Sequence, residues 1–258
     1  MKFIDRTGET RKDNFGTEII IIKCNGCSDI IVEFQDKYKA KIHTNYQAFE
    51  KGKVKNPYHP NVYGVGYIGQ GKYKTSVSGK NTEAYKTWKN MLRRCYDPYE
   101  INREPVYIDC YVCDDWLCFQ NFAKWFYKHY YNCNNERMHL DKDILCKGNK
   151  IYSPENCILV PQRINNLFTK GNAIRGKYPI GVCWDKKRNK FQAYCSILDK
   201  NNKKKKKYLG LYDNEYEAFQ VYKQFKENYI KQIANEYKSI IPTELYDAMY
   251  RYKVEIND

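Results

Sequence analysis

Three groups of residues have types and spacings that could do chemistry. Cys24-Asn25-Gly26-Cys27 and Cys110-Tyr111-Val112-Cys113 are both C-x-x-C pairs, the spacing that supplies two corners of a tetrahedral zinc site. They lie far apart in the chain, in segments that read as strand and loop, and Cys118 and Cys133 add no regular pattern. Buried thiols are therefore expected here in preference to structural zinc. Gly64-Val65-Gly66-Tyr67-Ile68-Gly69 could cradle a phosphate, but it lacks the strand-to-helix setting and Lys-Ser/Thr ending of a P-loop. A turn or close-packed strand is the expectation. The third group is basic: Lys186, Lys187 and Arg188 in one turn, and Lys203 to Lys207 in the next. Between them Phe191, Ala193, Cys195 and Ile197 alternate with Lys190, Gln192, Tyr194 and Ser196, which predicts a strand with one apolar and one polar face. Lysines on such a face can take phosphates, while Arg and Gln reach base edges. The competing reading is a solvated hairpin whose lysines serve only solubility.

Bulk composition favours the first of these. The 258 residues carry 45 Lys and Arg against 30 Asp and Glu, a net charge of +15. That excess attracts polyanions, and double-stranded DNA is the partner it suggests. The 26 tyrosines could stack on bases, although most are expected to be half-buried. The apolar run Ile19 to Ile22 is too short for a signal segment or a spanning helix, so no membrane partner is expected. A reducing cytoplasm fits eleven cysteines better than a disulfide framework does.

The elements that must position these residues can be placed from periodicity. Glu18 to Lys23, Ile30 to Phe34 and Lys39 to His43 read as strands. Thr82 can cap a helix with Tyr85, Trp88, Met91 and Leu92 on its apolar face, and Trp116 to His129 reads as a second helix. A strand from Met138 to Leu145, a loop with Gly148-Asn149, a strand from Cys157 to Val160 and a helix from Gln162 follow. Ile180 to Trp184, Lys190 to Leu198 and Lys206 to Leu211 are three further strands. After them comes a long helix capped at Asp213 or Asn214, with Glu217 placed as in a capping box. Its predicted stripe is Ala218, Tyr222, Phe225, Tyr229 and Ile233, and a short helix and tail end the chain.

Arg175-Gly176, Gly181-Val182-Cys183-Trp184-Asp185, Lys190-Phe191-Gln192-Ala193-Tyr194, Tyr208-Leu209-Gly210-Leu211-Tyr212 and Glu217-Ala218-Phe219 together resemble the AP2-type DNA-binding domain. The resemblance implies a three-stranded antiparallel sheet laid in the major groove and backed by one helix. It implies DNA contacts from Arg175, Trp184, Lys186, Arg188, Lys190, Gln192 and Tyr194, with Lys206 and Tyr208 from the third strand. Cys183 stands where plant members commonly have arginine, which leaves base specificity unassigned.

Leu140-Asp141-Lys142-Asp143-Ile144-Leu145, Tyr152-Ser153-Pro154-Glu155-Asn156-Cys157 and Arg163-Ile164-Asn165-Asn166 resemble the HNH (ββα-metal) nucleases of phage and mobile elements. With Trp88, Met91 and Arg94-Cys95 upstream, the arrangement looks like a phage homing endonuclease carrying a C-terminal AP2 module, acting in the cytoplasm of a bacterial host. Such a site uses one divalent ion, Mg²⁺ or Mn²⁺, at the scissile phosphate and a histidine to take a proton from water. The resemblance implies Asp143 as the metal carboxylate with Asp141 as its alternate, Asn165 as the second ligand and Asn156 as the loop brace. The histidine expected after the carboxylate is Ile144 here, and His139 is the remaining candidate base. Two readings stay open. One is a metal-dependent DNA endonuclease. The other is a catalytically impaired HNH fold kept for DNA binding, in regulation or interference with host defence, in which Asp141 and Asp143 merely cap a turn. The expected fold class is α+β and multidomain: a small β module over residues 1–75, available for protein or DNA contact, an HNH-like unit over 80–170, and an AP2-like domain with helical tail over 175–258.

Overall fold

The computed structural model describes residues 4–168, 177–198 and 203–256. The chain begins with β1 (Thr10–Lys12), β2 (Glu18–Gly26), β3 (Asp29–Phe34), β4 (Lys41–Thr44) and α1 (Tyr46–Glu50). A small hairpin, β5 (Ser76–Val77) and β6 (Lys80–Asn81), leads to α2 (Glu83–Tyr96) and α3 (Pro98–Arg103). Then come β7 (Tyr111–Val112), α4 (Asp114–Leu117) and α5 (Phe119–His129). β8 (Met138–Asp141), β9 (Ile151–Tyr152), β10 (Ile158–Pro161) and α6 (Gln162–Phe168) follow. The chain closes with β11 (Val182–Asp185), β12 (Lys190–Leu198), β13 (Lys204–Tyr212), α7 (Glu215–Tyr237) and α8 (Thr243–Arg251). The class is α+β, and no helix among the described residues is long and apolar enough to cross a membrane.

These elements gather into two compact units: residues 1–129 with 150–154, and residues 130–149 with 155–258. In the first unit β1 to β4 form an antiparallel meander. Ile19, Ile21, Ile30, Val32 and Phe34 all point to one face and are buried with Phe49 of α1, as their alternation requires. Thr82 caps α2 by accepting from the Tyr85 amide at 3.3 Å. Trp88, Met91 and Leu92 are buried, and Trp88 donates to the Trp116 carbonyl at 2.7 Å inside an aromatic core with Phe119, Phe122 and Trp125. The glycine-rich stretch packs against α2, where a Cβ on Gly66 would come 2.3 Å from Leu92, so it is a close-packed bridge as the sequence suggested. The single helix expected over 116–129 is interrupted at Cys118. Tyr67 there pairs with the backbone on both sides, donating to Leu117 O at 3.0 Å and accepting from Phe119 N at 2.9 Å. That bridge comes from a segment about fifty residues earlier, so local periodicity could not announce it.

The second unit merges two segments that the sequence separates near residue 170. β8 and β10 pair antiparallel and α6 packs on both. Ile144, Ile158, Val160, Ile164 and Leu167 of this part share one core with Tyr229, Ile230, Ile233, Ala234 and Tyr237 of α7 and with Leu245 and Met249 of α8. β11, β12 and β13 form an antiparallel sheet in that order. The first turns of α7 back it, with Phe219 and Tyr222 packed on Cys195, Val182 and Leu209. Asn214 caps α7 through the Tyr216 amide at 2.7 Å. The C-terminal tail folds back, burying Val254 against the same cluster and donating its amide to Glu227 at 3.0 Å.

One glycine fixes how closely α7 approaches the sheet. Gly181 has φ +78°, and a Cβ there would lie 2.1 Å from the Tyr222 ring. Both the left-handed backbone and the contact demand glycine. Gly181→Ala is expected to destabilise the protein by about 2–5 kcal/mol, the sum of backbone strain and overpacking, read as a lower urea midpoint.

Candidate nucleic-acid interface and the ββα turn

Strand register assigns each residue of the C-terminal sheet to a face. Cys183 pairs with Gln192 and Asp185 with Lys190, while Tyr194 pairs with Tyr208, Ser196 with Lys206 and Leu198 with Lys204. Directly paired residues share a face, so Asp185, Lys190, Gln192, Tyr194, Ser196, Lys204, Lys206 and Tyr208 lie together on the side away from α7. A bulge between Ala193 and Tyr194 keeps this pattern while turning Leu209 inward to the α7 cluster. The Tyr194 and Tyr208 rings sit 5.4 Å apart, and Tyr208 is exposed. Lys186, Lys187 and Lys203 to Lys207 are all exposed.

Two of the expected contact residues are not on this face as described. Trp184 pairs with Phe191 and packs on it edge-on at 4.7 Å. It therefore lies on the face that Phe191 shares with Ala193, not beside Gln192 and Tyr194, because residue parity in the register decides the side. Arg175 lies outside the described residues.

Two of the positive groups, Arg188 and Lys190, are tied to carboxylates that sequence reasoning did not pair with them. Asp185 accepts from the amides of Lys187 at 2.9 Å and Arg188 at 3.2 Å, from the Arg188 guanidinium at 2.9 Å, and from the Gln192 side chain. The Arg188 hydrogen bond is the main reason its carboxyl is held below the ordinary value, and the same bond raises Arg188. Lys190 pairs with Asp213 at 3.0 Å. The signal was present in the sequence as Asp-Lys-Lys-Arg, an aspartate positioned to hold the two amides ahead of it in a turn. Lys186, Lys204 and Lys206 form no ion pair among the described residues.

The ββα turn is organised differently from the expected metal site. β8 ends at Asp141, short of the predicted Leu145, because Asp141 Oδ1 accepts from the amides of Asp143 and Ile144, both at 2.8 Å, and turns the chain. Register places His139 opposite Val160 and Asp141 opposite Ile158, so both share the face that carries those two core residues. Burial there pushes the Asp141 carboxyl above its ordinary value. Ile144, at the usual histidine position, is itself buried in that core. Asn156 sits in the turn before β10, and Asn165 is half-buried on α6. Lys142 is only 5 % exposed, and its ammonium bonds Asp143 at 2.8 Å and the Asn149 carbonyl at 2.7 Å. Asn149 returns a bond to the Lys142 carbonyl at 2.9 Å, closing the loop.

Two of the expected metal donors are engaged within the loop itself. The carboxylate of Asp143 is already neutralised by an internal ammonium, and one oxygen of Asp141 is committed to two amides. Among the described residues no three His, Cys, Asp or Glu side chains gather as a metal site. No protein-family model, curated protein or solved structure matches the chain.

The Lys142–Asp143 pair is asymmetric, since Asp143 is 48 % exposed and Lys142 is not. Removing the carboxylate takes the Asp143 counter-charge from a buried ammonium that keeps its bond to the Asn149 carbonyl. Asp143→Ala should cost about 1.5–3 kcal/mol of stability in urea melts, the value of a hydrogen bond to a charged group, whereas Lys142→Met, which leaves Asp143 in water, should cost less.

Proposed function

We propose that the protein binds double-stranded DNA through the outer face of β11–β13, with the ββα unit as scaffold and not as nuclease. The observation that carries this reading is the alignment of Lys204 and Lys206 with the Tyr194–Tyr208 pair on one exposed face, flanked by the Lys186-Lys187 turn. Lysines in two turns and along an edge strand can meet phosphates on both sides of a groove, with Gln192 and Arg188 between them. The AP2-type resemblance of the same segment supports the same geometry. Arg188 and Lys190 are held by carboxylates on an exposed surface, where ion pairs are weak, and a phosphate can exchange for the acid. The scaffold role rests on Lys142. An ammonium seated on Asp143 takes the place that catalysis would give to Mg²⁺ or Mn²⁺, and His139 lies within a paired strand and not at a loop.

Titration of a labelled random-sequence duplex at several salt concentrations tests the first part. Lys186→Gln, Lys187→Gln, Lys204→Gln and Lys206→Gln together should weaken binding and flatten the salt dependence of log K by about 2–4, close to one per lost phosphate contact. An unchanged slope would remove the sheet from the interface. Incubation with supercoiled plasmid tests the second part. No nicking above the EDTA control is expected with Mg²⁺ or Mn²⁺, and metal-dependent nicking lost in Asp143→Ala would restore the nuclease.

A further inference from the structure

The antiparallel meander of the first unit puts the β1–β2 turn and the β3–β4 turn at the same end, since Lys12 pairs with Glu18 and Glu33 with Lys41. Each turn lifts an aromatic ring out of the protein. Asp13, buried, accepts from the amides of Phe15 at 2.9 Å and Thr17 at 2.8 Å and presents Phe15, which is 65 % exposed. Asp36 accepts from the amides of Tyr38 at 2.9 Å and Lys39 at 3.1 Å and presents Tyr38, 38 % exposed.

Each ring rests on one of two consecutive residues. Tyr38 stacks on Tyr58, with centroids 4.1 Å apart and planes within 7°. Phe15 lies on His59 at 3.7 Å. The segment beneath is fixed by Asn56, buried, whose side chain donates to Asp36 at 2.7 Å and accepts from the Tyr58 amide at 2.9 Å, and whose carbonyl accepts from the His59 amide at 3.2 Å. Lys37 Nζ stands 4.9 Å from the Tyr38 ring centre, and Lys37, Lys39 and Lys55 are exposed.

Two exposed, pre-positioned rings on adjacent supports, bordered by cations, match the needs of consecutive unpaired bases. Rings stack on bases of any sequence, and lysines take the phosphates between them. An apolar core would have buried Phe15, and simple solubility would not place an ordered ring stack at a turn tip. We propose that this end of the meander is a stacking site for single-stranded nucleic acid, separate from the duplex-binding sheet and independent of that reading.

The test is fluorescence anisotropy of the full chain with a labelled oligothymidine and, in parallel, with a duplex. Phe15→Ala with Tyr38→Ala should weaken oligothymidine binding by about ten-fold or more while duplex binding changes less than two-fold. The Lys204→Gln, Lys206→Gln variant should show the opposite pattern if the sheet binds duplex. Failure of that second arm bears on the sheet alone. Unchanged oligothymidine affinity in the ring variant overturns the proposal. Photocrosslinking of the unmodified protein to an iodouracil oligonucleotide checks the site without any substitution. Adducts on Phe15, Tyr38 or their supports are expected, and adducts confined to other segments overturn it.

Discussion

Everything in the second unit depends on the burial of one helix. α7 spans 23 residues, about 35 Å of rise, and its apolar stripe continues along its length. Its first turns press Phe219 and Tyr222 into the sheet, while Tyr229 to Tyr237 fill the core beneath β8, β10 and α6. The three-stranded sheet and the ββα segment each bury their apolar side against this helix. Polar bonds pin the same helix to both. The Tyr229 hydroxyl accepts from Leu198 N at 3.0 Å at the end of β12, and Arg163 of α6 meets Glu236 at 2.9 Å. The sheet and the turn are thus held in one compact unit, although the sequence reads them as two domains.

That difference shows what sequence can and cannot carry. Period-two and helical patterns sufficed for β12, whose observed bounds are Lys190–Leu198, for the Thr82 cap of α2, and for the α7 stripe, in which only Phe225 is not fully buried. These are local signals. The break at Cys118, the end of β8 at Asp141 and the shared core of α6 with α7 are set by contacts between distant residues or by one side chain capturing backbone amides. Trp184 is a contact position by family resemblance alone, whereas strand parity puts it on the face of Phe191. The candidate site was legible as a charge pattern. Of its acidic partners, Asp185 was legible in the Asp-Lys-Lys-Arg turn, whereas the pairing of Asp213 with Lys190 joins the start of β12 to the residue after β13 and has no local pattern.

The ββα turn shows how one buried side chain organises a loop. The antiparallel pair and helix are built. Yet Ile144 spends the position after Asp143 on the core, and Lys142 turns inward to satisfy the acid. Burying an ammonium is costly unless it is paired and hydrogen-bonded, so once Lys142 is inside, Asp143 and the Asn149 carbonyl become part of its support. The loop from Asp141 to Asn149 is thereby closed by hydrogen bonds from its own side chains.

β13 stands at the edge of its sheet, with one row of backbone groups facing outward, and such an edge can template pairing with another copy of the chain. Five consecutive lysines, Lys203 to Lys207, occupy or border that strand. Mutual repulsion between such lysines opposes the pairing of two approaching edges. A polyanion seated on the same lysines would weaken that repulsion, so charge on this strand couples its occupancy to the exposure of its edge.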